Sequence, residues 1–90
     1  MTNPTPGPWN IFQSIGLEVE ADGIPICEIW QRGDKEQEQA NARLIAAAPD
    51  LLATLQACDE AMKYMSEYDI PIALPCLVKF AIAKATGEEV

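Results

Sequence analysis

Histidine is absent from the chain of 90 residues, and cysteine is scarce and odd in number. The chain therefore lacks the most frequent general base and the most frequent metal ligand of proteins. Cys27, Cys58 and Cys76 are far apart, and none of them forms a Cys-x-x-Cys pair. Because each lies among apolar neighbours, we interpret them as buried, reduced thiols outside any disulfide framework. The sequence predicts no metal and no cofactor.

Long apolar runs are also missing, and so is the basic start followed by an apolar segment that marks a signal peptide. The N-terminal residues read MTNPTPGPW. We therefore expect a cytosolic protein that does not contact a membrane.

Positive charge is in short supply. Six lysines and arginines face fourteen aspartates and glutamates, which gives a net charge of −8. A field of this sign opposes direct binding to nucleic acids and to anionic membranes, because both attract cationic surfaces. It favours a partner with a basic surface, and the alternative is that the charge serves solubility alone.

The length indicates a single domain over residues 1–90 with a modest core, since 49% of the residues are hydrophobic. Such a small domain has a thin margin of stability, and oligomerisation is a common remedy. We therefore expect a homo-oligomer. Residues 1–8 hold three prolines and should form an extended arm.

Residues 9–31 predict a three-stranded antiparallel β-meander. Residues 17–21 alternate between apolar and acidic side chains, and Asp22-Gly23 is a strong signal for a two-residue hairpin turn. Pro25 lacks a backbone donor, so its strand should lie at an edge.

Residues 34–86 predict the helical part. Asp34 is the expected N-cap of a first helix that reaches Ala48, and Pro49 should begin a second helix that runs to Tyr68. A last helix should cover 75–85 and stop at Gly87. The predicted fold class is α+β: a β-meander followed by two or three α-helices.

Apolar spacing predicts the buried face of each helix. On the first helix it selects Ala40, Leu44, Ala47 and Ala48. On the second the stripe is longer: Leu51, Leu52, Leu55, Cys58, Ala61, Met62 and Met65. The last helix is apolar nearly all round and should pack on several sides, including another subunit.

Residues 41–52, NARLIAAAPDLL, and residues 5–9, TPGPW, together carry a resemblance. They resemble a box N-A-R-L-I-A-A-A-P-[DE]-L-L and an N-terminal T-P-G-P-W segment that recur in small accessory proteins of bacteriophages and prophages. The resemblance covers about the first fifty-five residues. It implies a phage-encoded protein acting in the host cytoplasm, and small phage proteins of this kind are often inhibitors of CRISPR-Cas complexes, restriction enzymes or nucleotide-signalling immunity.

The sequence offers no catalytic constellation, because a nucleophile, a base or a metal would have to be positioned together. We therefore expect a binding protein and not an enzyme. The first hypothesis is an inhibitor of anti-CRISPR or anti-restriction type that docks acidic residues onto a basic host complex. The strand acids in this hypothesis are Glu18, Glu20 and Glu28, joined by the helix acids Glu36, Glu38, Asp59, Glu60 and Glu67.

The second hypothesis is an oligomeric sponge for a small immune-signalling nucleotide. Its phosphates would meet Arg43, Lys63, Lys79 or Lys84, and its base would stack on Trp9, Trp30, Tyr64 or Tyr68. The third is a dimeric structural scaffold. Three of these residues also have a structural interpretation. Arg43 could form a salt bridge with Glu18, Glu20 or Asp50, and Tyr64 and Tyr68 could pack on one side of a helix.

Overall fold

A computed structural model describes residues 4–13, 16–29, 33–66 and 68–87. Three strands precede three helices: β1 (Asn10–Gln13), β2 (Leu17–Ala21), β3 (Ile24–Ile29), α1 (Lys35–Ala46), α2 (Ala48–Met62) and α3 (Leu74–Thr86). The α+β prediction is confirmed. The chain divides into two compact units, Met1–Asp50 and Leu51–Val90, which we name the sheet unit and the helical unit. That the whole forms one domain stays a prediction.

The three strands form an antiparallel meander in the order β1-β2-β3. Asp22 and Gly23 connect β2 to β3 with φ angles of 53° and 82°. Positive φ at both positions is the signature of a type I′ turn, which matches the twist of the strands it joins. Pro25 lies in an edge strand, opposite Glu20, where the pairing register shifts. The predicted hairpin and the predicted edge position of Pro25 are both confirmed.

One face of the sheet holds the core of the sheet unit. Leu17, Val19 and Ala21 of β2 are buried, and α1 packs on this face, mainly against β2. Asp34 caps α1 as predicted, because its side chain accepts a hydrogen bond from the backbone N–H of Gln37 at 3.1 Å. Helix α1 thus begins where its first free amide donors are satisfied.

The predicted buried face of α1 is wrong. Ala42 and Glu38 are its buried residues, whereas Ala40 is exposed and Leu44 is 65% exposed. Ala42 places no bulk between the helix and the sheet. Glu38 is held at the start of the helix because it accepts a hydrogen bond from the Gly33 N–H at 3.2 Å. The close approach of α1 to the sheet at Ala42 and the hydrogen bond of Glu38 therefore determine which face of α1 is buried, and Leu44 stays exposed.

The arm before β1 has no helix or strand over residues 4–9, as expected. The indole Nε1 of Trp9 donates a hydrogen bond to the carbonyl of Thr5 at 3.1 Å, and Trp9 is half-buried. Gly7 lies against Pro49, since a Cβ built on Gly7 would be 3.0 Å from the Cβ of Pro49. The arm therefore contacts the start of α2 within the sheet unit.

Helix α2 ends at Met62, six residues before the predicted end at Tyr68. The amides of Lys63 and Tyr64 bond carbonyls three residues back, those of Glu60 and Ala61. Such short-spaced bonds tighten and close a final helical turn. The amide of Asp69 then bonds the carbonyl of Ser66 and starts a new turn.

Helix α3 begins at Leu74, with Pro75 in its first turn, and ends at Gly87, whose φ of 81° lies in the left-handed region. The predicted glycine stop is confirmed. Val78 and Ala83 are the buried residues of α3, and none of α2 is fully buried. The prediction of buried thiols is wrong for Cys58 and Cys76, which are free and exposed, while Cys27 is free and half-buried. Among the described residues, no helix is long and apolar enough to cross a bilayer.

Candidate interaction site

The outer face of the sheet, opposite α1, gathers the three strand acids. The pairing register sets Glu18 of β2 directly opposite Glu28 of β3. Glu20 follows two residues along β2, and Phe12 of β1 pairs with Glu18. Because side chains alternate along a strand, these residues share the face that α1 does not cover. We name Phe12, Glu18, Glu20 and Glu28 the acidic face.

Within the part of the chain that the structure describes, no cation forms an ion pair with the acidic face. Directly paired residues of antiparallel strands place their Cβ atoms about 5 Å apart, and like charges at such positions destabilise a sheet by roughly 0.2–1 kcal/mol. Both ion pairs found in the described part of the chain lie in the helical unit. Among the described residues, Glu18 and Glu28 therefore face each other with no ion pair to a cation that would remove their repulsion.

Phe12 adds an apolar centre to this face, since it is 47% exposed beside Glu18. An aromatic ring next to carboxylates suits lysine or arginine, whose stem can pack on apolar surface while its charged end meets an oxygen. The arrangement can therefore bind basic side chains without any covalent chemistry.

Beside the acidic face, a groove of about 460 Å³ runs between β3 and α1. Glu28, Asp34 and Asn41 are among its polar lining, and Ile29, Leu44 and Ile45 among its apolar lining. The sequence analysis does not predict this groove. The sequence feature that could have predicted the groove is an edge strand followed by a helix with small side chains.

Arg43 does not join the acidic face. It lies exposed in the last turn of α1, on the other side of the sheet. Within the described ranges it has no ion pair, so the expected partnership with Glu18, Glu20 or Asp50 is not formed. Arg43 keeps its charge available to solvent.

Tyr64 and Tyr68 are 83% and 93% exposed. The interpretation that they pack on one side of a helix is wrong, because α2 ends at Met62 and both tyrosines follow it. Exposed tyrosines offer rigid contact area with a polar tip, a combination enriched at interfaces. Trp30, the remaining aromatic candidate, lies outside the described residues.

The helical unit keeps two of its lysines in ion pairs. Lys63 Nζ lies 3.0 Å from Glu60 Oε2, and Lys79 Nζ lies 3.0 Å from Asp59 Oδ1. The hydrogen bond to Glu60, with the charge of that carboxylate, raises the pKa of Lys63. The structure thus gives both cations a carboxylate partner. Across the residues described, no group of three or more Cys, Asp or Glu side chains could hold a metal ion.

Comparison with known proteins identifies the lineage. A family model described as Salmonella phage P22 protein Y8K6 matches residues 1–89, so the chain belongs to this phage protein family. Neither the curated proteins nor the solved structures contain a match.

Proposed function

We propose that this phage-family protein inhibits a host defence system by binding, without catalysis, to a host protein complex that has a basic surface. The complex would be of the CRISPR-Cas or restriction type and would be met in the host cytoplasm. The phage family of the chain supplies the biological setting for this proposal.

The observation that carries the proposal is the opposition of Glu18 and Glu28 beside Glu20 and Phe12. A partner that brings cations to this face would relieve the repulsion of the free protein, so part of the binding free energy comes from the sheet itself. Oppositely charged surfaces also accelerate encounter, and this acceleration declines as salt is added.

The exposed tyrosines supply a second contact region in the helical unit. Rigid aromatic anchors give interfaces much of their affinity, whereas surrounding charges give rate and register. Tyr64 and Tyr68 therefore join the acidic face as proposed contact residues, and the binding roles of Arg43 and Trp30 stay predictions.

The nucleotide sponge receives less support. A pocket for a nucleotide needs convergent cations around the phosphates. Lys63 and Lys79 have carboxylate partners within the helical unit, and no other observation favours the sponge.

The test is affinity purification of the tagged chain from a phage-susceptible bacterium at low and at high ionic strength, with mass spectrometry of eluted proteins and small nucleotides. We expect a host nuclease or surveillance complex in the low-salt eluate, with recovery falling steeply as salt rises. Salt-independent recovery of the same complex, or a nucleotide as the sole partner, would refute the proposal.

A matched pair of variants locates the surface. Glu28→Lys and Asp50→Lys change the net charge equally, and both residues are exposed. Glu28 lies on the acidic face and Asp50 in the first turn of α2. We expect Glu28→Lys to weaken binding of the captured complex by at least about tenfold and Asp50→Lys to change it by less than about threefold. Equal losses would mean that net charge alone is recognised.

A further inference from the structure

Helix α2 carries two neighbouring stripes, a half-buried one, which we name the covered stripe, and an exposed one, which we name the open stripe. Leu52, Leu55 and Met62 are half-buried, together with Asp59, which pairs with Lys79 of α3. The second stripe is exposed along the helix: Leu51, Thr54, Cys58 and Ala61. Both stripes recur at spacings of three and four residues, which is the spacing of helix-packing seams.

Helix α3 repeats this arrangement. Pro75, Val78 and Ile82 form the covered stripe, with Val78 fully buried. The open stripe consists of Leu74, Leu77 and Ala81, flanked by Phe80. Leu77 is 62% exposed and Phe80 is 54% exposed. The α3 stripe is therefore available to a further helix.

The angle between the stripes indicates what covers them. At about 100° of rotation per residue, the open and covered stripes of each helix are centred roughly 100° apart. Two helices that pack only on each other need one stripe each. A helix of a four-helix bundle contacts two neighbours that lie about a right angle apart, so it needs two such stripes. Both helices of this unit meet the second requirement.

The charges permit a second copy of the chain to approach despite the net charge of −8. The open stripes contain no acidic residue. The acids of α2 beyond its first turn, Asp59 and Glu60, each have a lysine partner. Pairing two copies through these stripes therefore buries no unpaired carboxylate, whereas a basic partner would find no carboxylate along them.

The available area also fits. A large apolar residue presents on the order of 200 Å² when fully exposed. Leu51, Leu74, Leu77 and Phe80 are between two-fifths and two-thirds exposed, and the smaller side chains between them add to the open surface. Two copies would together bury about 1,000 Å², the lower bound for a specific interface.

We propose that a second copy of this chain covers the open stripes, so that α2 and α3 of two copies form a four-helix bundle. The isologous contact gives the helical unit the core that Val78 and Ala83 alone do not supply. This inference stands apart from the proposed function, which uses the acidic face of the sheet unit and the exposed Tyr64 and Tyr68, because none of these residues belongs to the open stripes.

The full chain is tested by sedimentation equilibrium from about 1 μM to several hundred μM. We expect the mass to approach twice 9.8 kDa as the concentration rises. A constant single-chain mass over this range would overturn the proposal, because the stripes would then be open or covered within one chain. A higher oligomer as the only associated species would overturn the closed bundle.

Point variants test whether the open stripes form the interface between the two copies. Ala61→Glu and Leu77→Glu each place a carboxylate on an open stripe at an exposed position. Each should weaken dimerisation by at least about 100-fold, since the carboxylate would be buried without a partner. Gln56→Glu adds the same charge on the exposed outer side of α2 and should change it by less than about threefold.

Circular dichroism of each variant at a concentration where the chain is monomeric tests folding, and equal helix content is expected. A dimer unaffected by both stripe variants, or weakened equally by Gln56→Glu, would refute this interface. If a stripe variant loses helix content, uncharged substitutions replace it. Leu77→Ala removes apolar contact area and should weaken the dimer. Ala61→Ser, a small change on the other open stripe, serves as its control and should leave the dimer intact.

Discussion

The sheet unit and the helical unit use the same kinds of residues with different results. In the sheet unit, α1 covers three buried side chains of one central strand, and the acids face outward on the opposite side. In the helical unit, two longer helices leave several large apolar side chains between about two-fifths and two-thirds exposed to solvent. The difference shows that the number of apolar residues in a segment does not determine whether their side chains are buried. A sheet with one helix on it closes a small core, whereas two helices need further partners.

The largest effect that separates the units is expected at Leu17, which is 2% exposed and begins β2, the central strand of the sheet. Leu17→Ala should lower the free energy of unfolding of the sheet unit by about 3 kcal/mol, because it removes buried apolar surface and leaves a cavity. Urea titration followed by tryptophan fluorescence measures this, since both tryptophans precede residue 51. The matched control is Leu44→Ala on exposed α1 surface, expected to cost less than about 1 kcal/mol. Equal costs would contradict the described core.

A smaller effect is expected from the ion pair that joins the two helices of the helical unit. Asp59 and Lys79 approach to 3.0 Å, and the side chain of Asp59 is only 24% exposed. A double-mutant cycle with Asp59→Asn and Lys79→Met should give a coupling of about 0.5–1 kcal/mol at low salt, decreasing as salt screens it. The more exposed pair of Glu60 and Lys63 should couple less. Zero coupling between Asp59 and Lys79 in low salt would argue against their contact.

The smallest effect should have the opposite sign. Glu28→Gln removes one of two facing carboxylates and should raise the stability of the sheet unit by about 0.5 kcal/mol. Glu36→Gln, in the first turn of α1, should lower it by a few tenths of a kcal/mol through loss of a favourable dipole interaction. Thermal melts of both variants at low and high salt make the comparison. A destabilised Glu28→Gln would remove the physical basis of the proposed acidic face.

The sequence predicted those parts of the fold that short-range chemistry determines. Asp22-Gly23, the Asp34 cap and the Gly87 stop depend on backbone conformations that only a few residue types adopt readily, and all three are confirmed. The acidic alternation of β2 predicted the outer face as well. What sequence alone could not give was the register that sets Glu28 opposite Glu18, because it depends on a shift in the pairing of β3.

The errors have two physical causes, one local in the sequence and one that depends on contacts distant in sequence. The end of α2 was misplaced because helix propensity continues through Lys63 and Tyr64, while hydrogen bonds in the following turn compete with it. Leu44 was assigned to the core because spacing cannot say which of two adjacent helix faces meets a sheet. Here Ala42 and Glu38 face inward instead.

The contact between Gly7 and Pro49 joins the two sequence segments that resemble phage proteins. A methyl group at position 7 would be 3.0 Å from the Pro49 ring, closer than side chains normally approach. We therefore expect the two positions to covary: a related chain with a larger side chain at position 7 should lack proline at position 49. Substitutions in residues 5–9 and in residues 41–52 should then be correlated among related chains, because the two segments contact each other.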